Sequence, residues 1–232
     1  QMQLMELTSK SDKFMCLYRS NFGSGKTTAT IGVATNILKN EKMSASLTLY
    51  CCNSAAVRHT VCQYAYNVSV KFAIATTIIN VETQKIKTDM VRITNNNLCK
   101  TDKDRQLIVA DYVTTLMLLT ECKKLLNVDL ENILLIIDEP TDGTEDIENE
   151  KTKYIVSLIY HAPQRLILMS ATLPNPDELE PCISYYVNKY QCKLTLLSSS
   201  NMKVGCELIM SDGTTYMPHN ECKNKVDLPI PG

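Results

Sequence analysis

The sequence predicts an α/β fold with a mostly parallel sheet flanked by helices, and three observations carry that expectation. Short apolar runs alternate with longer amphipathic ones along most of the chain. Strands of about four to eight residues alternating with helices of ten or more mark a sheet covered on both faces. A turn with two glycines, "SNFGSGKTT", follows the first apolar run and opens the first of these longer segments.

Taken in order, strands are expected at 14–19 (FMCLYR), 46–51 (SLTLYC), 71–79, 107–111 (LIVAD), 133–137 (ILLII), 165–170 (RLILMS) and 193–198. Helices are expected at 26–39, 54–66, 113–126, 147–161 and 176–190. Leu116, Leu118 and Leu119 give the third helix its core face. The acidic stretch "TDGTEDIENE" at 141–150 reads as a solvated loop and helix start, where carboxylates favour the helix dipole. After residue 200, "VGCELIMSDGTTYMPH" reads as two strands turning at Asp212-Gly213, a C-terminal β-hairpin extension. "DLPIPG" then ends the sequence in extended chain.

Composition sets the outer bounds. The 232 residues suffice to bury a full core, and 24 Lys+Arg against 25 Asp+Glu give a formal net charge of −1. No global positive field advertises a nucleic-acid partner, so any such contact must be local. No apolar run approaches the ~20 residues that cross a bilayer, and "QMQLMELTSKSDK" lacks the order of a signal peptide. A soluble, intracellular chain without a membrane partner is the expectation. The ten cysteines contain no CxxC pair, and most lie in apolar segments where a free thiol behaves as a small hydrophobe. Reduced thiols suit a cytosolic or nuclear setting. Cys206, His219 and Cys222 flank the expected hairpin and supply three candidate zinc ligands; the lack of a fourth beside them disfavours the site.

The glycine turn carries the first chemistry. A strand running into "GSGKTT" and then a helix gathers backbone N–H groups and a helix N-terminus around one point, an anion site. Gly23 and Gly25 let the backbone approach phosphates. Ser20, Asn21, Phe22, Ser24, Lys26, Thr27 and Thr28 complete the loop, with Lys26 placed for the β- and γ-phosphates and the Thr27 hydroxyl for Mg²⁺. The usual GxxxxGK[ST] pattern would have glycine where Ser20 stands. A second part follows the apolar run Ile133 to Ile137, which delivers Asp138 and Glu139 to a strand end, where open α/β sheets bind ligands. Asp138 would hold Mg²⁺ through water and Glu139 would polarise the attacking water.

The combination decides. "SNFGSGKTT", "LLIIDEPTD" and "LILMSATLP" occur in that order, each after an apolar strand, and the trio resembles motifs I, II and III of superfamily 2 (DExD/H-type) helicases. The first resembles the family's AxxGxGKT form, with Ser20 as the small residue. The second is a DExx box written DEPT, departing from DEAD and DEAH at Pro140 and Thr141. The third supplies Ser170 and Thr172, which the resemblance implies couple the state of ATP to movement of the nucleic-acid-binding surfaces.

More weakly, "LTLYCCNSAAVRH" occupies the place of motif Ia and "LIVADYVTTLMLL" that of the motif Ib region, making Asn53, Ser54, Arg58, Asp111, Thr114 and Thr115 candidates for a nucleic-acid track. A capped, solvated helix start explains the first group equally well.

The resemblance implies a RecA-like P-loop ATP-binding lobe over residues 1–200, with 201–232 leading toward a second RecA-like lobe in the same or a partner chain. It implies ATP and Mg²⁺ as cofactors and RNA or DNA, held through the backbone, as partner. In the family an arginine finger enters from the second lobe and is worth ~10³–10⁵ in rate, so one lobe alone would turn over very slowly. Two alternatives stand beside it. Another P-loop motor would share the first two motifs, although "SATLP" argues against that, and a nucleotide-gated binding module would bind without turnover.

Overall fold

The seven expected strands all form, and an eighth joins them. In the computed structural model of the chain the described residues are all except 1, 11, 21–24, 40–46, 80–85, 142–148, 200–207, 210–214 and 217–232. The strands of the main sheet are β1 (Phe14–Ser20), β2 (Leu47–Cys51), β3 (Phe72–Ile79), β4 (Ile86–Asn95), β5 (Leu107–Ala110), β6 (Ile133–Asp138), β7 (Arg165–Ser170) and β8 (Lys193–Ser199). They lie in the order β4-β3-β5-β2-β6-β7-β1-β8. Every neighbouring pair is parallel except β3 and β4. This is the mostly parallel, helix-flanked α/β sheet of the RecA-like class.

Alternate residues of the central strands feed two separate cores. Met15, Leu17, Leu49, Leu135, Ile137, Leu166 and Leu168 face one layer, together with residues of α4 (Tyr112–Thr120), α6 (Glu150–His161) and α7 (Glu180–Tyr190). Phe14, Cys16, Tyr50, Leu134, Ile136, Ile167 and Met169 face the other, against α1 (Met2–Lys10), α2 (Lys26–Lys39) and α3 (Ala55–Asn67). The uninterrupted apolar wording of these strands follows, because a strand covered on both faces has no solvent side to make polar. Each such side chain is worth about 1.5–3 kcal/mol on burial.

Four departures from the sequence-based expectation have local causes. Residues 2–10, given no element above, form α1, whose Leu4 and Thr8 are buried one turn apart. Residues 86–95 form β4, an edge strand in which Val91 and Ile93 pack on the core while Arg92 and Thr94 face out. The helix expected at 113–126 is broken at Glu121, whose backbone leaves the helical region, into α4 and α5 (Cys122–Leu126); Asn127 ends the latter in the left-handed region. The helix expected at 176–190 starts as a 3₁₀ turn over Pro176–Leu179 before α7.

Of the C-terminal hairpin, β9 (Leu208–Ile209) and β10 (Thr215–Tyr216) pair antiparallel. Asp212 and Gly213 lie outside the described residues, as do Asn21, Phe22, Gly23, Ser24 and the candidate zinc ligands Cys206, His219 and Cys222. No helix among the described residues is long and apolar enough to cross a membrane.

Candidate functional site

Strands β6, β7 and β1 are consecutive in the sheet, so the three motifs meet at its C-terminal edge although more than a hundred residues separate the first from the second. The register sets Arg19 opposite Ser170 and Asp138 opposite Met169. Ser20 closes β1 and is buried. Gly25, with φ of 88°, makes the turn that a side chain would strain, and Lys26 opens α2 immediately after it. Thr27 and Thr28 follow in the first turn of α2, Thr28 exposed.

Lys26 Nζ forms an ion pair with Glu139 Oε1, and Ser170 Oγ donates to Glu139 Oε2. Both oxygens of one carboxylate are thus held by residues of the other two motifs. Glu139 has φ of 53°, left-handed backbone that costs a non-glycine residue about 1–2 kcal/mol. Two bonds hold it there: its N–H donates to Met169 O at 2.8 Å, and its carbonyl accepts from Tyr112 Oη at 2.9 Å. Beyond Ser170, three hydroxyls form a triangle. Thr141 Oγ1 lies 2.9 Å from Thr172 Oγ1 and 3.4 Å from Ser170 Oγ, and the Ser170 and Thr172 oxygens are 3.1 Å apart. Motif II and motif III are therefore joined by side chains as well as by strand pairing.

Asp138 ends β6 and is 4 % exposed. Tyr50, on the neighbouring strand β2, donates its phenol to Asp138 Oδ2. Asp138 Oδ1 is buried and makes no hydrogen bond. Burial raises the carboxyl's pKa above its ordinary value and the adjacent Glu139 pushes the same way, against the Tyr50 hydrogen bond and the Lys26 charge. Burial and the Asp138 charge likewise push the Tyr50 phenol well above its usual range. The thiols nearby are not reactive groups, since burial raises Cys52 to about 11 and Cys51 also moves up.

The candidate nucleic-acid residues divide. Ser54 caps α3, accepting from Val57 N, and Arg58 donates from Nη1 to the carbonyls of Cys52 and Asn53, both at 2.7 Å. These residues form the solvated helix start after β2. Asp111 likewise caps α4, accepting from Thr114 N at 2.8 Å. Thr114 and Thr115 are fully buried, which corrects the expectation that they line a track; the Thr114 hydroxyl instead accepts from Thr77 N at 3.1 Å and lies 2.7 Å from Thr77 Oγ1. Tyr50 and Tyr112 were not foreseen. Each is an ordinary core aromatic in sequence, and only the sheet order places its hydroxyl on the acid pair.

The family model of the DEAD/DEAH box helicases matches residues 1–179. No curated protein sequence matches the chain. Among solved structures, a DEAD box protein from the hyperthermophile Methanococcus jannaschii is similar at TM-score 0.52 and 15 % identity, over 85 % of this chain and 48 % of that one. The DEAD-box helicase Mss116 bound to ssRNA and UDP-BeF is similar at TM-score 0.55 and 13 % identity, over 88 % of this chain and 40 % of that one. The Sulfolobus solfataricus SWI2/SNF2 ATPase core in complex with dsDNA is similar at TM-score 0.50 and 15 % identity, over 86 % and 43 %. This chain therefore spans less than half the length of each of these three structures. With the family model covering most of its length and the three motifs converging on one edge of a RecA-like sheet, the chain belongs to the DEAD/DEAH box helicase family.

Proposed function

We propose that the chain is the ATP-binding lobe of an ATP-dependent nucleic-acid helicase or translocase. In this reading residues 1–200 form the lobe and 201–232 lead toward a second RecA-like lobe. The observation that supports it most directly is the meeting of Lys26, Asp138, Glu139 and Ser170 at the ends of three adjacent strands.

The donor set fits Mg·ATP. Asp138 keeps one buried carboxylate oxygen without a hydrogen bond, a hard ligand beside the Lys26 ammonium, and Thr27 would add a hydroxyl. Among the described residues no cluster of three or more His, Cys, Asp or Glu could hold a metal by itself. That suits an ion carried largely by phosphate oxygens and water. Bound there, Mg·ATP supplies the transferable phosphoryl group and the charge neutralisation that its departure requires.

The chain's own residues do the rest. The first turn of α2 presents backbone N–H groups to the phosphates, and Lys26 adds a positive charge at the same point. Glu139, held by Ser170 and by its backbone bonds to Met169 and Tyr112, accepts the proton of an attacking water or orients it. The Thr141, Ser170 and Thr172 hydroxyls link that carboxylate to the segment after β7. Nucleic acid would cross the C-terminal edge of the sheet through backbone contacts, with Asn53, Ser54, Arg58 and Asp111 at the strand ends as candidates. The ssRNA in one structural relative and the dsDNA in another support nucleic acid as the partner class.

The deciding experiment is ATP turnover by the longest form of the protein, with and without single-stranded RNA and DNA, alongside Glu139→Gln. Stimulation by a nucleic acid that the variant loses supports the reading. Nucleotide binding without stimulated turnover, with a second lobe present, would replace it by a nucleotide-gated module.

A further inference from the structure

We infer that Tyr50 is a positioning residue for the acid of motif II: its hydroxyl anchors Asp138 through Oδ2 and so reserves Oδ1 for the divalent cation. The inference rests on the functional reading above.

Packing alone does not call for the hydroxyl. Tyr50 is fully buried in the layer shared with Leu134, Ile136 and α2, where phenylalanine would fill the same space. A buried hydroxyl must find a partner or cost stability, and this one donates to Asp138. The register explains why tyrosine is the residue that can do it. Tyr50 lies opposite Ile136, so Asp138 is two residues farther along the neighbouring strand on the same face. Two residues advance ~6.6 Å, a gap that a tyrosine side chain spans and a serine or asparagine does not.

The consequence falls on the carboxylate. The last torsion of an aspartate is broad, so the plane of an unanchored Asp138 carboxylate would turn over a wide range of orientations. With one oxygen held by the phenol, the plane of the carboxylate is fixed and its other oxygen, Oδ1, keeps one direction and no hydrogen-bond partner. Outer partners of this kind set the geometry of metal-binding groups, and their loss typically costs ~10–100-fold in metal affinity.

The test is a metal titration read by nucleotide binding. A fluorescent ADP analogue is bound to wild type, Tyr50→Phe, Asp138→Asn and the double variant, first in EDTA and then across increasing Mg²⁺. Tyr50→Phe should bind nucleotide in EDTA as wild type does and need ~10–100-fold more Mg²⁺ for the metal-linked gain. In the Asp138→Asn background, Tyr50→Phe should change nothing further. That double variant carries no unpaired carboxylate, and a cooperative melt confirms that each protein is folded. An unchanged Mg²⁺ requirement in Tyr50→Phe overturns the inference, as does an equal loss of affinity with and without metal. A wild type with no metal-linked nucleotide binding would instead overturn the functional reading, and the inference with it.

Discussion

Ser170 Oγ donates to Glu139 Oε2, the oxygen opposite the one paired with Lys26. A strand end well over half the chain away from the glycine turn thus shares a carboxylate with it. Hydrogen bonds to charged groups are worth about 1.5–3 kcal/mol, so the serine helps to hold the acid in a defined orientation.

On the proposed reading, Ser170→Ala combined with Thr172→Ala should therefore lower ATP turnover by a smaller factor than it lowers strand separation in a form of the protein that includes a second lobe. Parallel ATPase and unwinding assays decide it. Equal losses would mean that the hydroxyls only support the fold.

Lys26→Ala should reduce nucleotide affinity to below detection in a filter or fluorescence assay. Glu139→Gln should leave affinity within about threefold of wild type while turnover falls by ~10²–10⁴, the usual worth of a general base. Normal turnover in either variant would remove both residues from the reaction.

Asp138→Asn should raise the melting temperature at neutral pH while abolishing the metal-linked part of nucleotide binding. Burial raises this carboxyl's folded-state pKa above the ordinary value. Its contribution to stability is therefore fully present below the ordinary aspartate pKa and is lost as pH rises through the higher folded value. The variant's advantage should grow as the pH rises from about 4 toward 7, and thermal melts across that range measure it.

Thr114→Ala should cost about 1–3 kcal/mol, because it strips the partly buried Thr77 N–H of its acceptor. Nucleic-acid affinity should not change, since the side chain is inaccessible. A weakened affinity in a stably folded variant would return Thr114 to the binding track.

Gln191→Gly should stabilise the fold by roughly 0.5–1 kcal/mol. Gln191 ends α7 with φ of 51°, and glycine takes that conformation without strain. The replacement gives up an exposed side-chain bond to Asn188 O, which offsets part of the gain. Denaturant melts measure the balance.

The parts that sequence made legible are those whose signal is local. Residues 14–18, 133–137 and 166–169 of β1, β6 and β7 are continuous apolar runs because both faces are covered, and the polar residues that end these strands, Ser20, Asp138 and Ser170, sit where open α/β sheets bind ligands. β4 was hidden because an edge strand needs only one apolar face, and Lys87, Asp89 and Arg92 break the run. α1 was hidden because a short helix with buried Leu4 and Thr8 has little periodicity to detect. Tyr50 and Tyr112 could not be found by pattern at all. Their partners lie 88 and 27 residues away, and the pairing exists only through the strand order.

That strand order also bears on how the protein acquires its shape. β6, β7 and β1 come together only after long loops have closed, and parallel pairings of high sequence separation are the slow contacts in folding. The glycine turn, the acid pair and the Ser170 segment therefore cannot exist as a unit in a partly assembled chain. In a refolding time course, recovery of nucleotide binding should coincide with the slowest structural phase, which makes the bound nucleotide a reporter of completed assembly.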